Sequence, residues 1–364
     1  MPPHFDRPPL TVCLLRLSAI GDTCHAVAAL RMLQAAWPGA RFTWIIGKLE
    51  ARLMTALLPE VEFIIFDKRA MAAGLRSLRR ELAGRRFDLL LHLQLALRAS
   101  LVSTLIRARL KLGFDRARAR ELQWLFTNAR IAPARHEHVL DSFLGFVRAC
   151  GIEPGAPRWD LTLPDRALEY ADGIVGGGGP TLVISPCSSH VHRNWRPERY
   201  AAVACHARER HGMRVVLAGG PSATERRMGE DILRAAGAPA TAGDARPPAI
   251  IDQIGKDTLP ELLGLLSRST ALLTPDSGPA HMATMVGLPV IGLYAATRTA
   301  RAGPYLSREW CIDKYDQAAR TFRGRPADRI PWTDKIEVPG VMDLIGVAEV
   351  AARLDALMAA RELR

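Results

Sequence analysis

Short apolar runs recur along the chain, and the gaps between them are long enough for one helix each. In the first half these runs are 11–16, 42–46, 62–66 and 87–92. Near-continuous apolar runs of this length predict strands buried on both faces, as in a parallel sheet. Val27, Leu30 and Leu33 fall at helical spacing, and that pattern stops before Pro38-Gly39. Further helices are predicted around 49–58 and 73–83. The second half repeats the scheme, with apolar runs at 181–185, 214–218, 250–254, 271–274 and 288–291. A helix is predicted from about 197 to 211, and others after Ser222, near Leu259 and after Ser277. Strands alternating with helices predict α/β units built on doubly wound parallel sheets. An amphipathic helix over 341–357 closes the pattern.

Between the two halves the composition changes. Pro154, Pro157 and Pro164 precede the run Gly176-Gly177-Gly178-Gly179-Pro180. Residues of this kind mark loops and linkers. The expected organisation is a first domain over 1–165, a hinge over 166–180, a second domain over 181–340 and a terminal helix over 341–364. The 364 residues suffice for two domains, and a 48% hydrophobic content supplies their cores.

No apolar run approaches the roughly 18–20 residues of a membrane span. The first ten residues lack the basic-then-apolar layout of a secretory signal, so a soluble cytoplasmic chain is expected. The formal charge is +12, carried almost entirely by arginine. Such an excess favours acidic partners: nucleic acid, anionic lipid or a phosphorylated substrate. It is densest at Arg107–Arg120, with Arg130 and Arg135 beyond; this stretch reads as a solvated face or as a contact with phosphates. The six cysteines show no C-x-x-C pair and no repeated spacing, so reduced, mostly buried thiols are expected. His136-Glu137-His138 places two histidines at alternate positions of a helix start, which do not share a face.

The candidate chemistry lies in turns that lead from a strand into a helix. Asp276-Ser277-Gly278-Pro279 separates the run at 271–274 from a helix bearing Met282, Met285 and Val286. Ser277 suits an N-cap and Pro279 a first helical turn. A helix start offers unpaired N–H groups and partial positive charge to an anion, and Asp276 can accept from hydroxyls. An ordinary capped turn is the plain alternative. Ser18-Ala19-Ile20-Gly21-Asp22 follows the first strand, with Gly21 allowing close approach and Asp22 at a cap position. Ser188 and Ser189 offer hydroxyls, and Arg193 offers a fork matched to phosphate oxygens. Glu225, after Gly219-Gly220-Pro221, can hold ribose hydroxyls or merely start a helix. His281 reads equally as ligand-facing or as a satisfied helix histidine.

Taken together, these motifs resemble glycosyltransferase family 9, the ADP-heptose:lipopolysaccharide heptosyltransferases and their relatives. The resemblance rests on Arg16-Leu17-Ser18-Ala19-Ile20-Gly21-Asp22, on the Ser188-Ser189 loop, on Gly219-Gly220-Pro221, and on Asp276-Ser277-Gly278 with His281. It continues through Gly287-Leu288-Pro289-Val290-Ile291-Gly292-Leu293-Tyr294 and Arg301-Ala302-Gly303-Pro304-Tyr305. The chain departs from the family at Ser277, where threonine is usual, and at Arg193, where lysine is usual; arginine keeps the charge and changes the geometry.

The resemblance implies a GT-B fold, two doubly wound Rossmann-like domains facing across a cleft, with the last helix returning to the first domain. It implies inverting transfer of a heptose from ADP-heptose to a lipopolysaccharide inner-core acceptor. Asp22 would be the general base, with Ser18 and Gly21 on the acceptor-side loop. Ser188, Ser189, Arg193, Glu225, Asp276, Ser277, Gly278 and His281 would hold the donor. The nucleobase would lie near Lys256 and Asp257. No cofactor is implied beyond the nucleotide-sugar substrate, and with no Asp-x-Asp in the chain no catalytic metal is expected. The implied partners are the nucleotide sugar, an anionic glycolipid acceptor and the inner-membrane surface as a peripheral contact, without nucleic acid. Two other classes stay open: a transferase or epimerase for another nucleotide sugar, and a non-catalytic nucleotide or nucleic-acid binder, which would bind with strong salt dependence.

Overall fold

The computed structural model describes residues 7–176, 178–237 and 250–362. They divide into two compact units, Met1–Thr162 and Leu163–Arg364. Gly177, in the glycine run expected to act as a hinge, lies outside the described residues.

The N-terminal unit runs β1 (Thr11–Leu15), α1 (Ile20–Ala36), β2 (Arg41–Gly47), α2 (Lys48–Leu57), β3 (Glu62–Phe66), α3 (Met71–Glu81), β4 (Phe87–His92), α4 (Leu97–Ser103), β5 (Ala108–Gly113), β6 (Ala129–Arg130) and α5 (Val139–Ala149). Its strands form a six-stranded sheet in the order β3-β2-β1-β4-β5-β6, with every pairing parallel. Of the runs read as doubly buried strands, β1 and β4 are so, with Val12 to Leu15 and Leu89 to Leu91 essentially unexposed, whereas the edge strand β3 leaves Ile65 50% exposed. Helices cover both faces, and Cys13, Leu15, Ile45, Phe66 and Leu90 lie in one apolar cluster.

The C-terminal unit opens with α6 (Asp165–Val175), then β7 (Thr181–Ile184), α7 (Pro197–His211), β8 (Arg214–Leu217), α8 (Ala223–Ala235) and β9 (Ile250–Asp252). It continues with α9 (Leu259–Ser267), β10 (Ala271–Pro275), α10 (Gly278–Met285), β11 (Val290–Tyr294), α11 (Thr299–Ala302), β12 (Ile312–Asp313), α12 (Tyr315–Arg323) and α13 (Val347–Glu362). Its sheet, ordered β12-β11-β10-β7-β8-β9, is again parallel throughout. Counted from the first strand of each unit, both sheets have the doubly wound order 3-2-1-4-5-6. The chain direction therefore reverses beside β1 and β4 in one unit, and beside β7 and β10 in the other. Ligands of such sheets bind at the carboxyl ends of the strands flanking that reversal.

The expected two-domain α/β architecture is present, with three local corrections. Most of 166–180, expected as a hinge, is helix α6, packed on α9 so closely that Gly264 has no room for a Cβ beside the Ala167 carbonyl. The Arg-rich stretch contributes strand β5, where Ala108, Leu110 and Leu112 alternate with Arg109 and Lys111. The last helix starts at Val347, after a short 3-10 turn over Val341–Leu344. It lies in the C-terminal unit, where Val350, Leu354 and Leu357 join the same core as Val203 and Ala207 of α7. Their spacing places them on one helix face, which packs against α7. No helix among the described residues is long and apolar enough to cross a membrane. All six cysteines are free thiols, four of them buried.

Candidate active site

In the N-terminal unit the loop after β1 lies at the sheet reversal. Leu17 N–H donates to the Gln94 side-chain oxygen at 2.7 Å, and the Gln94 amide donates to Ser18 Oγ at 3.3 Å. Gln94 follows β4, so the two strands that flank the reversal fix the loop from either side. Gly47, at the end of β2, supports it from beneath: a Cβ there would overlap the Leu17 carbonyl oxygen and the Glu50 carboxylate. Gln123 ties this end of the sheet together. Its amide donates to the backbone oxygens of His92 at 2.8 Å and Gln94 at 3.1 Å, and its oxygen accepts from Phe114 N–H at 3.1 Å. Burial pushes the adjacent His92 down to about 4, so the ring is neutral.

Asp22 was expected at the N-cap of the first helix. The helix begins earlier, at Ile20, and Asp22 lies inside its first turn, where its carboxylate accepts from Ala19 N–H at 3.4 Å. The dominant partner is the Arg16 guanidinium, which pairs with Asp22 Oδ2 and also donates to the Leu93 carbonyl. The Arg16 side chain is 11% exposed and that of Asp22 31%. The Asp22 carboxylate is thus partly open to solvent beside a mostly buried cation. Gly21 lies in the same first turn of α1, and Ser18 precedes it.

In the C-terminal unit the loops after β7 and β10 meet at the second reversal. Ser188 Oγ donates to the Asp276 backbone carbonyl at 2.8 Å, and Ser188 N–H donates to the Asn194 side chain at 2.7 Å. Ser189 is exposed beside them. Ser277 takes the N-cap position of α10, but its hydroxyl does not cap the helix; it pairs instead with Thr274 Oγ1 at 2.8 Å. The first amides of α10, from Gly278, thus keep the anion-binding character of a helix start. His281 is buried, at 8% exposure.

Arg193 is 9% exposed. Its guanidinium donates to Asp276 Oδ2 at 3.0 Å and to Glu337 Oε1 at 2.7 Å from Nε and 2.5 Å from Nη2. Partial burial acts to raise the Glu337 carboxyl, but the hydrogen bonds and charge of Arg193 outweigh it and hold the group below the ordinary carboxylate range. His190 lies 3.6 Å from the other Glu337 oxygen. Sequence reasoning selected Arg193 and Asp276 separately; the ion pair between them, and Glu337, it missed.

Glu225 closes the turn after β8. Its carboxylate accepts from Gly220 N–H at 2.8 Å and from Ser222 Oγ at 2.6 Å, while Ser222 Oγ accepts from Glu225 N–H at 3.2 Å. This reciprocal cap fixes the carboxylate over the Gly219-Gly220 backbone. Asp257 lies nearby. Burial, added to by the charges of Glu261 and Glu225, pushes its carboxyl up to about 7, and one of its oxygens is buried without a hydrogen-bond partner. Gly255 packs its Cα against Pro221 and brings this segment to the same turn.

Both doubly wound units therefore carry their candidate residues at the position where such sheets bind ligands. The family model described as glycosyltransferase family 9 (heptosyltransferase) matches residues 75–327. The chain is 37% identical over 355 residues to the lipopolysaccharide core heptosyltransferase OpsX of Haemophilus influenzae, covering 98% of this chain and 99% of that protein. It is 24% identical to lipopolysaccharide heptosyltransferase 3 of Escherichia coli, over 93% of this chain and 96% of that one. Among solved structures, a glycosyl transferase family 9 protein from Veillonella parvula superposes with a TM-score of 0.77 at 19% identity, covering 96% of this chain and 97% of the other. The E. coli heptosyltransferase WaaC with ADP superposes with a TM-score of 0.72 at 18% identity, over 95% and 99% of the two chains. With two GT-B-type doubly wound units and this full-length kinship, the chain belongs to glycosyltransferase family 9, the heptosyltransferases.

Proposed function

We propose that this enzyme transfers a heptose from ADP-heptose to a lipopolysaccharide inner-core acceptor, with inversion at the anomeric carbon. The observation that carries the reading is the 37% identity to a lipopolysaccharide core heptosyltransferase over nearly the whole of both chains. In this reading Asp22 takes the proton of the acceptor hydroxyl as that oxygen attacks the anomeric carbon and the ADP leaves. Arg16 is a positioning residue: its bonds to Leu93 and Asp22 hold the carboxylate in one place. Ser18 and Gly21 belong to the same acceptor-side loop.

The C-terminal unit supplies the donor contacts. Glu225 takes the ribose hydroxyls, and the Ser277 and Gly278 amides with Ser188 and Ser189 take the diphosphate. Arg193 neutralises the leaving group once Asp276 turns to the sugar hydroxyls, with His281 beside it. Asp257 borders the nucleobase. Charge stabilisation is assigned to side chains and helix ends, so the proposal includes no cofactor and no catalytic metal. Nucleic acid is not among the proposed partners. The reading places the protein at the cytoplasmic face of the inner membrane, where its acceptor is anchored.

The test is turnover of ADP-heptose with purified lipopolysaccharide acceptors. Asp22→Asn is expected to lower kcat by about 100-fold or more while leaving the KM for donor within about threefold. Equal turnover by both proteins would remove Asp22 as the base, and turnover only with UDP- or GDP-sugars would replace the donor.

A further inference from the structure

Away from these loops, the end of α7 and the middle of α13 bring three metal-binding side chains together. His206 Nε2 lies 2.7 Å and His211 Nε2 2.6 Å from the same oxygen, Asp355 Oδ1. All three ligand atoms lie within 4.8 Å of one another. The side chains are 28%, 14% and 38% exposed, so the cluster is sheltered yet reachable from solvent. His211 is the last residue of α7, about 20 Å along the helix from its start at Pro197. The carbonyls that end a helix carry partial negative charge, which favours a cation at that place.

A hydrogen-bonded trio accounts for the contacts but makes poor use of the geometry. One carboxylate oxygen receives both imidazoles, and both rings present the same nitrogen to it. In a tetrahedral zinc site, bonds of about 2.0–2.2 Å separate neighbouring donor atoms by roughly 3.4 Å. Opening the trio to that spacing requires each side chain to move by less than about 1 Å. Two imidazoles and one carboxylate are a donor set for a borderline divalent ion such as zinc, cobalt or nickel, with water completing the shell.

We propose that His206, His211 and Asp355 bind a divalent transition-metal ion that ties α13 to α7 and so fastens the terminal helix onto the core of the C-terminal unit. The site is independent of the transfer reaction. The probe is zinc chloride, added to chelator-stripped full-length protein in the presence of a chromophoric competitor. The wild type is expected to take up one zinc more than either His211→Gln or Asp355→Asn, with the affinity of that site falling by roughly 100-fold in each variant. Zinc should raise the wild-type melting temperature, and both variants should lose that rise. Equal uptake and equal stabilisation in all three proteins would overturn the proposal, as would no uptake below about millimolar zinc, which leaves an ion-paired trio only. Should a variant fail to fold, the zinc-edge absorption spectrum of the wild type decides. A shell of two imidazoles and oxygen supports the site, and sulfur in the shell overturns it.

Discussion

At the scale of the residue, Gly47 bears on the loop that carries the proposed base without belonging to it. Its φ of −73° is ordinary, so the requirement for glycine is one of space. A methyl group at Gly47 would overlap the Leu17 carbonyl and push the loop that carries Asp22. Gly47→Ala is therefore expected to reduce kcat about 10–100-fold with the circular dichroism spectrum unchanged, and wild-type turnover would contradict this. Asp257 gives a prediction in pH. Its carboxyl is raised by burial from 3.8 to about 7, so between those values the folded protein holds a proton that the unfolded chain has lost. The contribution is complete below the unfolded value and vanishes as the pH rises through about 7. Asp257→Asn should then be the more stable protein at about pH 8, by on the order of 1–3 kcal/mol, with a smaller fall in stability from pH 5 to 8. Urea titrations at both pH values check it, and parallel curves would refute it. The chain order exposes residues such as Asp22, Ser188 and Asp276 to a reader because each lies in a turn between a strand and a helix. It hides Glu337, because the Arg193–Glu337 pair joins positions 144 residues apart. Gln94 and Gln123 are hidden for a similar reason: their side chains become informative only when folding brings Leu17 and Ser18 to the one and three backbone partners to the other.

At the scale of the element, apolar runs predicted β1 to β4 and β7 to β11, the edge strands β3 and β9 among them, and missed β5, β6 and β12. β1, β4, β7 and β10 are buried on both faces and read as continuous apolar segments. β5 was missed because Arg109 and Lys111 interrupt its apolar positions, and β6 and β12 because two residues carry no period. Helix α6 was read as part of a hinge because Pro164 and the glycine run bracket it. Pro164 is in fact its N-cap, and the helix is held by close packing on α9. Gly264→Ala should force these two helices apart against the Ala167 carbonyl and cost about 1–3 kcal/mol. A denaturation midpoint equal to wild type would show that the contact relaxes freely.

At the scale of the whole molecule, the charge of +12 combines with an apolar face on the N-terminal unit. Leu97, Leu101, Leu122 and Leu125 are 42%, 49%, 53% and 58% exposed. Leu97 and Leu101 are one turn apart on α4, and the Glu121 side chain accepts from Leu97 N–H at 2.5 Å, which brings Leu122 to the same place. Arg98, Arg116 and Arg120 are exposed among them. Leucines with arginines around them suit the surface of an anionic bilayer. Co-sedimentation with phosphatidylglycerol vesicles should fall about tenfold in the double variant Leu122→Ser, Leu125→Ser and weaken with salt; equal binding to neutral vesicles would refute the assignment. In the C-terminal unit the Arg193 guanidinium is a buried charge rather than a surface one. That guanidinium is already satisfied by Asp276 and Glu337, so a polyanion that brought phosphate alone would leave Asp276 without its cation. Under the proposed function, a visitor that brings phosphate for the arginine and hydroxyls for the aspartate lets both exchange partners, so admission would go to a pair of chemical credentials presented at once.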